Sequence, residues 1–145
     1  MSPTRYAADT TVSVDRSRGE LEKLLTRFGV EGFAYAWEGG QETIGFVYAG
    51  KRVRMSIPLP KRESYRTEES WAKERRRRLR VLVLAVKALL VAVDDGLVGF
   101  EEAFLSWFVT PSGRTVGDLV VPQLEEASRR GVLPPLMLPA GGESR

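Results

Sequence analysis

The segment from Glu68 to Val93 constrains this chain more than any other part of it. It contains no Gly and no Pro, opens on Glu68 and Glu69, carries Lys73, Arg75, Arg76, Arg77, Arg78 and Arg80, and is then aliphatic to Val93 apart from Lys87. Val-rich runs can be strands, but this length and the content of Leu and Ala favour a helix of about seven turns. Asp94, Asp95 and Gly96 stop it. The aliphatic part is too short and too interrupted to span a bilayer. A central buried helix or a subunit interface is therefore expected.

Helical geometry sorts these residues by face. At about 100° per residue, Lys73, Arg76, Arg77 and Arg80 share one side, extended by Lys87, and Leu79, Leu82, Val86, Leu89 and Val93 share roughly the opposite one. Arg75 falls in the middle of the apolar side, where it must project past the core or meet a carboxylate or a phosphate. Leu84 and Val91 lie outside the core stripe and require a second layer from later helices or from a second subunit.

The rest of the chain supplies a sheet and more helices. Residues 1–10 show no periodicity and read as a loose arm. Ser13 and Ser17 offer N-caps, with Ser17 and Glu20 spaced as a capping box, ahead of Leu21, Leu24, Leu25 and Phe28, and Gly29 closes this first helix. Phe33–Trp37, Thr43–Tyr48 and Lys51–Pro58 read as strands of an antiparallel meander, joined at Gly39-Gly40 and Ala49-Gly50. Alternation puts Val53, Met55 and Ile57 on one face and Arg52, Arg54 and Ser56 on the other. Lys61–Thr67 is a polar connection. A third helix is signalled by Phe100, Ala103, Phe104, Trp107 and Phe108, before a turn at Pro111-Ser112-Gly113. A fourth starts after Thr115, with Asp118 at the capping-box position, is kinked or restarted by Pro122, and ends at Gly131. The tail from Val132 to Pro139 is too apolar to hang free and is expected to dock. The expected fold is α+β, with one domain over 11–139 and a flexible tail over 140–145. The first helix and Leu79–Val93 pack on the Val53, Met55, Ile57 face.

Composition narrows the chemistry. With no Cys and no His, the chain has no thiolate nucleophile, no imidazole base and none of the usual zinc ligands. No G-x-G-x-x-G or G-x-x-x-x-G-K-[ST] arrangement occurs, and no Lys follows an acidic residue by two positions. The pairs Asp94-Asp95, Glu101-Glu102 and Glu125-Glu126 fall at helix ends or on helix faces, where no metal is needed to explain them. The expectation is a non-enzyme without cofactor or metal. With no apolar leader it is expected in the cytoplasm.

Charge is unevenly spread. Residues 51–80 hold twelve Lys or Arg and four Glu, a balance of +8, while ten basic and fifteen acidic residues elsewhere give −5. Such asymmetry points to a polyanionic partner. The candidate nucleic-acid-binding residues are Lys73, Arg76, Arg77 and Arg80, with Arg75, Arg52 and Arg54 extending the surface and Trp71 placed to stack on a base or to cover the end of the core. A phosphate-directed stripe of this kind reads charge and not sequence, and DNA is the first expectation.

Thr11-Val12-Ser13-Val14, Ile44-Gly45-Phe46, Arg52–Pro60, Phe100–Leu105 and Thr115–Asp118 occur in an order that resembles a family of small uncharacterised proteins encoded by bacteriophages and prophages. The resemblance covers about residues 10–139. It implies action inside a bacterial host and supplies no catalytic residues to carry over. Arg75–Arg78 and the aliphatic Leu82–Val93 are more extreme than in that family. The order of one helix, three strands and a helix also resembles double-stranded RNA-binding domains, but the lysine-rich entry to their second helix has no counterpart here. Two functions follow: an accessory nucleic-acid-binding protein, or a protein-interaction module, an inhibitor or assembly factor, that uses the apolar central helix and the Pro-rich tail. A host or phage protein, or a second copy of the chain, would be its partner, and no membrane is involved. A continuous positive groove would favour the first reading. An exposed apolar patch beside isolated arginines would favour the second.

Overall fold

The computed structural model describes residues 3–132 and 135–136, with side chains from Asp15 onward. Helix α1 spans Pro3–Arg27, strands β1, β2 and β3 span Gly32–Glu38, Gln41–Tyr48 and Lys51–Pro58, and helices α2, α3 and α4 span Glu68–Asp94, Phe100–Phe104 and Val116–Arg130. The fold is α+β, as the sequence suggests. The backbone is helical from Pro3, so the loose arm expected over residues 1–10 is helix from its third residue. Ser13 and Ser17 are then interior positions and not caps. Pro3 stands at the first helical position, where its fixed φ suits a helix start.

The three strands form a meander in the order β1-β2-β3. Each connection is a two-residue turn with both residues at positive φ, Gly39-Gly40 and Ala49-Gly50. Such turns match the twist of the strands they join. Ala49, at φ 50°, is the residue without this freedom by nature. Cross-strand pairing sets Ile44 opposite Met55, and Phe46 opposite Val53. These four side chains are buried together with Leu21, Leu24 and Leu25 of α1 and Leu79, Leu82, Val83, Val86 and Leu90 of α2. One sheet face is thus covered by two helices. Phe28, just past α1, lines a cavity with Leu90 and Val93 near the end of α2, while Arg18 lies by Tyr35, so α1 and α2 run in the same direction.

α2 starts at Thr67, whose hydroxyl accepts from the Ser70 N–H in a reciprocal capping box, and stops before Gly96 at φ 75°. Its buried face is Ala72, Leu79, Leu82, Val83, Val86 and Leu90. The core stripe is therefore turned slightly toward Val83 and Leu90, leaving Leu89 and Val93 half-buried at its edge.

The third helix is shorter than the apolar spacing implies. α3 ends at Phe104, a 3-10 turn covers Leu105–Trp107, and Phe108 has left the helix to bridge Val53 on the outer edge of β3. Phe100 and Phe104 pack edge-on against Phe46, with ring centroids 6.5 and 5.6 Å away. Val109 N–H donates to the Arg52 carbonyl at 2.9 Å, so this segment occupies part of an otherwise open strand edge. Thr115 caps α4 as expected. Pro122 does not restart α4, which runs through it. The Asp118 carbonyl that a proline at this position deprives of its helical donor accepts from Arg114 at 3.3 Å instead. α4 lies close on the 3-10 turn: a β-carbon at Gly117 would stand 2.9 Å from the Ser106 carbonyl oxygen. Gly131, at φ 71°, ends the helix. The docking expected of the apolar tail falls mostly outside the described residues, and Val132 and Leu136 are exposed.

Candidate functional site

The residues expected to meet a polyanion occupy two sides of the sheet. Arg52 and Arg54 alternate with the buried Val53 and Met55, so they lie on the face opposite α2 and do not extend its basic stripe. Arg54 donates to the Gly113 carbonyl at 2.7 Å, tying the 110–114 turn to the sheet. Beside it lies an open groove of about 790 Å³, lined among others by Thr43, Ser56, Ser106, Thr115 and Asp118.

On α2 the arginines are mostly engaged within the chain. Glu74 accepts from Arg77 through both carboxylate oxygens, at 2.8 Å each, and from Arg78 at 3.0 Å. Hydrogen bonds from Arg77 and Arg78 hold the Glu74 carboxyl well below the usual carboxylate range, at about 2, and the same partner raises Arg77. Arg78 also donates to the Pro58 carbonyl at 2.8 Å, fastening α2 to the end of β3. Arg76 is half-buried and has an interaction of its own. Lys73 and Arg80 are exposed, and no hydrogen bond or ion pair holds either one among the described residues.

Arg75 belongs to a cluster of a different kind. Its Nε and Nη2 donate to Glu42 Oε1 at 2.8 and 2.6 Å, and Tyr35 Oη donates to the same oxygen at 2.9 Å. Glu42 is 1% exposed, and its Oε2 accepts no hydrogen bond among the described residues. The Arg75 guanidinium lies 5.8 Å from the Trp37 ring and 6.0 Å from the Trp71 ring, and Arg18 lies 5.3 Å from the Tyr35 ring. Burial, then the hydrogen bond to Glu42, pushes the Tyr35 hydroxyl up to about 12. Arg75 is thus withdrawn from the nucleic-acid surface, because a buried carboxylate at this depth must be paired. Trp71 is withdrawn as well: it is half-buried over Arg75 and donates its indole N–H to the Pro60 carbonyl, so it covers the end of the core. Trp37, by contrast, is 63% exposed at the end of the sheet.

The second half of α2 shows a different surface. Val81, Leu84 and Val91 are 50%, 59% and 42% exposed, and Ala85 and Ala88 stand in solvent beside them. With Ala88 they follow one another at spacings of three, four and three residues, so they form one stripe along the helix. Arg77 precedes the stripe by one turn and Asp95 follows it by one turn. Leu84 and Val91 therefore gain no second layer from α3 or α4.

Among the described residues no group of three or more acidic side chains is arranged to hold a metal ion, and no helix is long and apolar enough to cross a membrane. Protein families, curated proteins and solved structures compared with the chain yielded no match.

Proposed function

We propose that this protein is a non-catalytic interaction module, working in a phage or prophage setting inside a bacterial cell, that engages another protein through the outer face of α2. The observation that carries this reading is the exposed stripe Val81, Leu84, Ala88 and Val91 on a helix whose opposite face is fully packed. Apolar side chains aligned on an exposed helix face mark a contact surface, and a helix or groove of the partner is the usual complement. The arginines beside the stripe support it by being mostly engaged already: Arg75 by Glu42, Arg77 and Arg78 by Glu74.

A nucleic-acid-binding reading rests on Lys73 and Arg80, which have no partner among the described residues, and on Arg77, whose side chain is 62% exposed. Three cations neutralising three phosphates would give a slope of log K against log salt of about −3. One experiment separates the two readings. A photo-crosslinking residue is placed at position 84, and separately at position 80, in cells making the protein. The interaction reading expects a discrete protein adduct from position 84 that disappears when Val81 and Val91 are changed to Asp. A nucleic-acid adduct from position 80, with none from position 84, would replace it with the other reading.

A further inference from the structure

We infer that the protein accepted by the outer face of α2 is a second copy of this chain, with its own α2 laid antiparallel across the first; this rests on the interaction reading and names its partner. The alternation of three and four residues in Val81, Leu84, Ala88 and Val91 is the spacing of the a and d positions of two heptads, which pack against a like helix. A two-fold interface must be complementary to itself. This stripe is, because its two ends carry opposite charge: Arg77 and Arg80 stand at the N-terminal end, Asp94 and Asp95 at the other.

A two-fold axis near Val86 and Lys87 sets Val81 against the partner's Val91 and Leu84 against the partner's Ala88. It brings Arg80, unpaired among the described residues, to the partner's Asp94, and Arg77, whose Nε and Nη2 stay on Glu74 and whose Nη1 is left over, to the partner's Asp95, each twice by symmetry. A parallel pairing would instead stack Asp94 on the partner's Asp94 and Arg80 on the partner's Arg80, so charge selects the antiparallel arrangement. Arg80 and Asp94 have no ion pair or hydrogen-bonding side chain within their own chain among the described residues. Arg27 lines the same cavity as Asp94, yet no ion pair joins them.

The end of α2 gives an independent reason. Two carboxylates occupy the C-terminal end of the helix and its last turn holds no basic residue, the reverse of what the helix dipole favours. Cations delivered by the partner's Arg80 and Arg77 correct that arrangement. The antiparallel pair also aligns the two helix dipoles favourably. Ala85, Ala88 and Ala92 let the helix axes approach closely. Opposing this, Lys87 meets the partner's Lys87 near the axis, where its long stem can carry the charge outward. With one alanine and three larger aliphatic residues meeting across each end, the contact is small and the dimer depends on concentration.

The test is sedimentation equilibrium of the full chain from micromolar to near-millimolar concentration, with circular dichroism and thermal melts as fold controls. The parent is expected to pass from monomer to dimer. Leu84→Asp is expected to stay monomeric with an unchanged melt in dilute solution. Arg80→Glu and Asp94→Arg should each weaken the dimer severalfold, and the two together in one chain should restore it, because the exchange rebuilds the pair only across an antiparallel interface. A parent that stays monomeric, a dimer indifferent to Leu84→Asp, or a double exchange that fails to restore association overturns the inference. If the parent is monomeric but position 84 crosslinks a different protein, the self-partner falls and the interaction reading stands. If position 84 also yields no adduct, both fall.

Discussion

The first half of α2, Glu68–Arg80, and the second, Val81–Asp94, belong to one helix and one layer, yet they treat their outward side chains differently. In the first half the long cations fold back: Arg75 to a buried carboxylate, Arg77 and Arg78 to Glu74, Arg78 also to a strand carbonyl. In the second half Val81, Leu84 and Val91 project from the helix into solvent. The difference shows that abundance of a side-chain type is a poor guide to what a surface offers. Arg75, Arg77 and Arg78 are committed within the chain, Lys73 and Arg80 are left over, and the surface that follows them is mainly aliphatic.

The first half is perturbed most severely by removing its anchor. Glu42→Leu leaves the Arg75 guanidinium, whose side chain is 17% exposed, without its counter-ion, and is expected to cost about 3–5 kcal/mol in urea unfolding. Glu42→Leu combined with Arg75→Met should recover most of that loss. A double variant no more stable than the single one would mean that the cost lies in packing and not in the charge.

In the second half, the inner and outer faces should differ sharply. Leu82→Ala, at a position 6% exposed, is expected to cost about 2–5 kcal/mol. Leu84→Ala, measured in dilute solution, should stay within about 0.5 kcal/mol. Equal losses at the two positions would place Leu84 under a cover within the monomer.

The commitment of Arg77 and Arg78 can be read from the acid they hold. Because the Glu74 carboxyl is held at about 2 in the folded chain, against 4.5 for an unperturbed group, its contribution to stability is present above 4.5 and is lost as the pH falls toward 2. Carboxyl titration by NMR should show this late protonation, and Arg77→Gln should move it back toward 4.5. Tyr35 behaves in the opposite sense: raised from 10.0 to about 12, it contributes stability below pH 10 that is lost as the pH rises through 12. Its phenolate absorbance should appear later than that of a free tyrosine.

The smallest effect lies away from the helix. Ala49→Asn suits the left-handed turn position better than alanine and should stabilise the fold by less than about 1 kcal/mol, a gain too small to blur the contrast between the halves. A loss of stability in thermal melts would show that the turn is held by its surroundings.

The parts of this fold that were legible in the sequence are those in which neighbours decide. Two-residue turns and strict alternation mark the strands and put Arg52 and Arg54 on the open face. The absence of Gly and Pro over Glu68–Val93 marks α2. The end of the third helix was not legible, because Phe108 leaves it to pair with Val53, a residue distant in sequence. The central cluster was half legible. Arg75 stands out as a cation on an apolar face and demands a carboxylate, but Glu42 sits beside a turn, where an acidic residue attracts no notice. Starting the second strand at Thr43 hides it. Extending the alternation of Ile44 and Phe46 back by two residues would have placed Glu42 on the covered face.

The two-residue turns also fix an order of events during synthesis. Every strand pairing joins segments adjacent in the chain, and such hairpins close in about 1–10 μs. A ribosome adds about 5–20 residues per second. The sheet can therefore register long before α2 has been made, with Leu21, Leu24 and Leu25 of the nascent α1 as its available cover. Through that interval Glu42 remains a hydrated carboxylate on an uncovered sheet, since Arg75 lies 33 positions later. When α2 arrives it meets a finished template, and a slip of one helical turn along that template, which sets Leu79 where Arg75 belongs, would bury the carboxylate against an aliphatic side chain. The nascent chain thus carries a checkpoint for the placement of its longest helix.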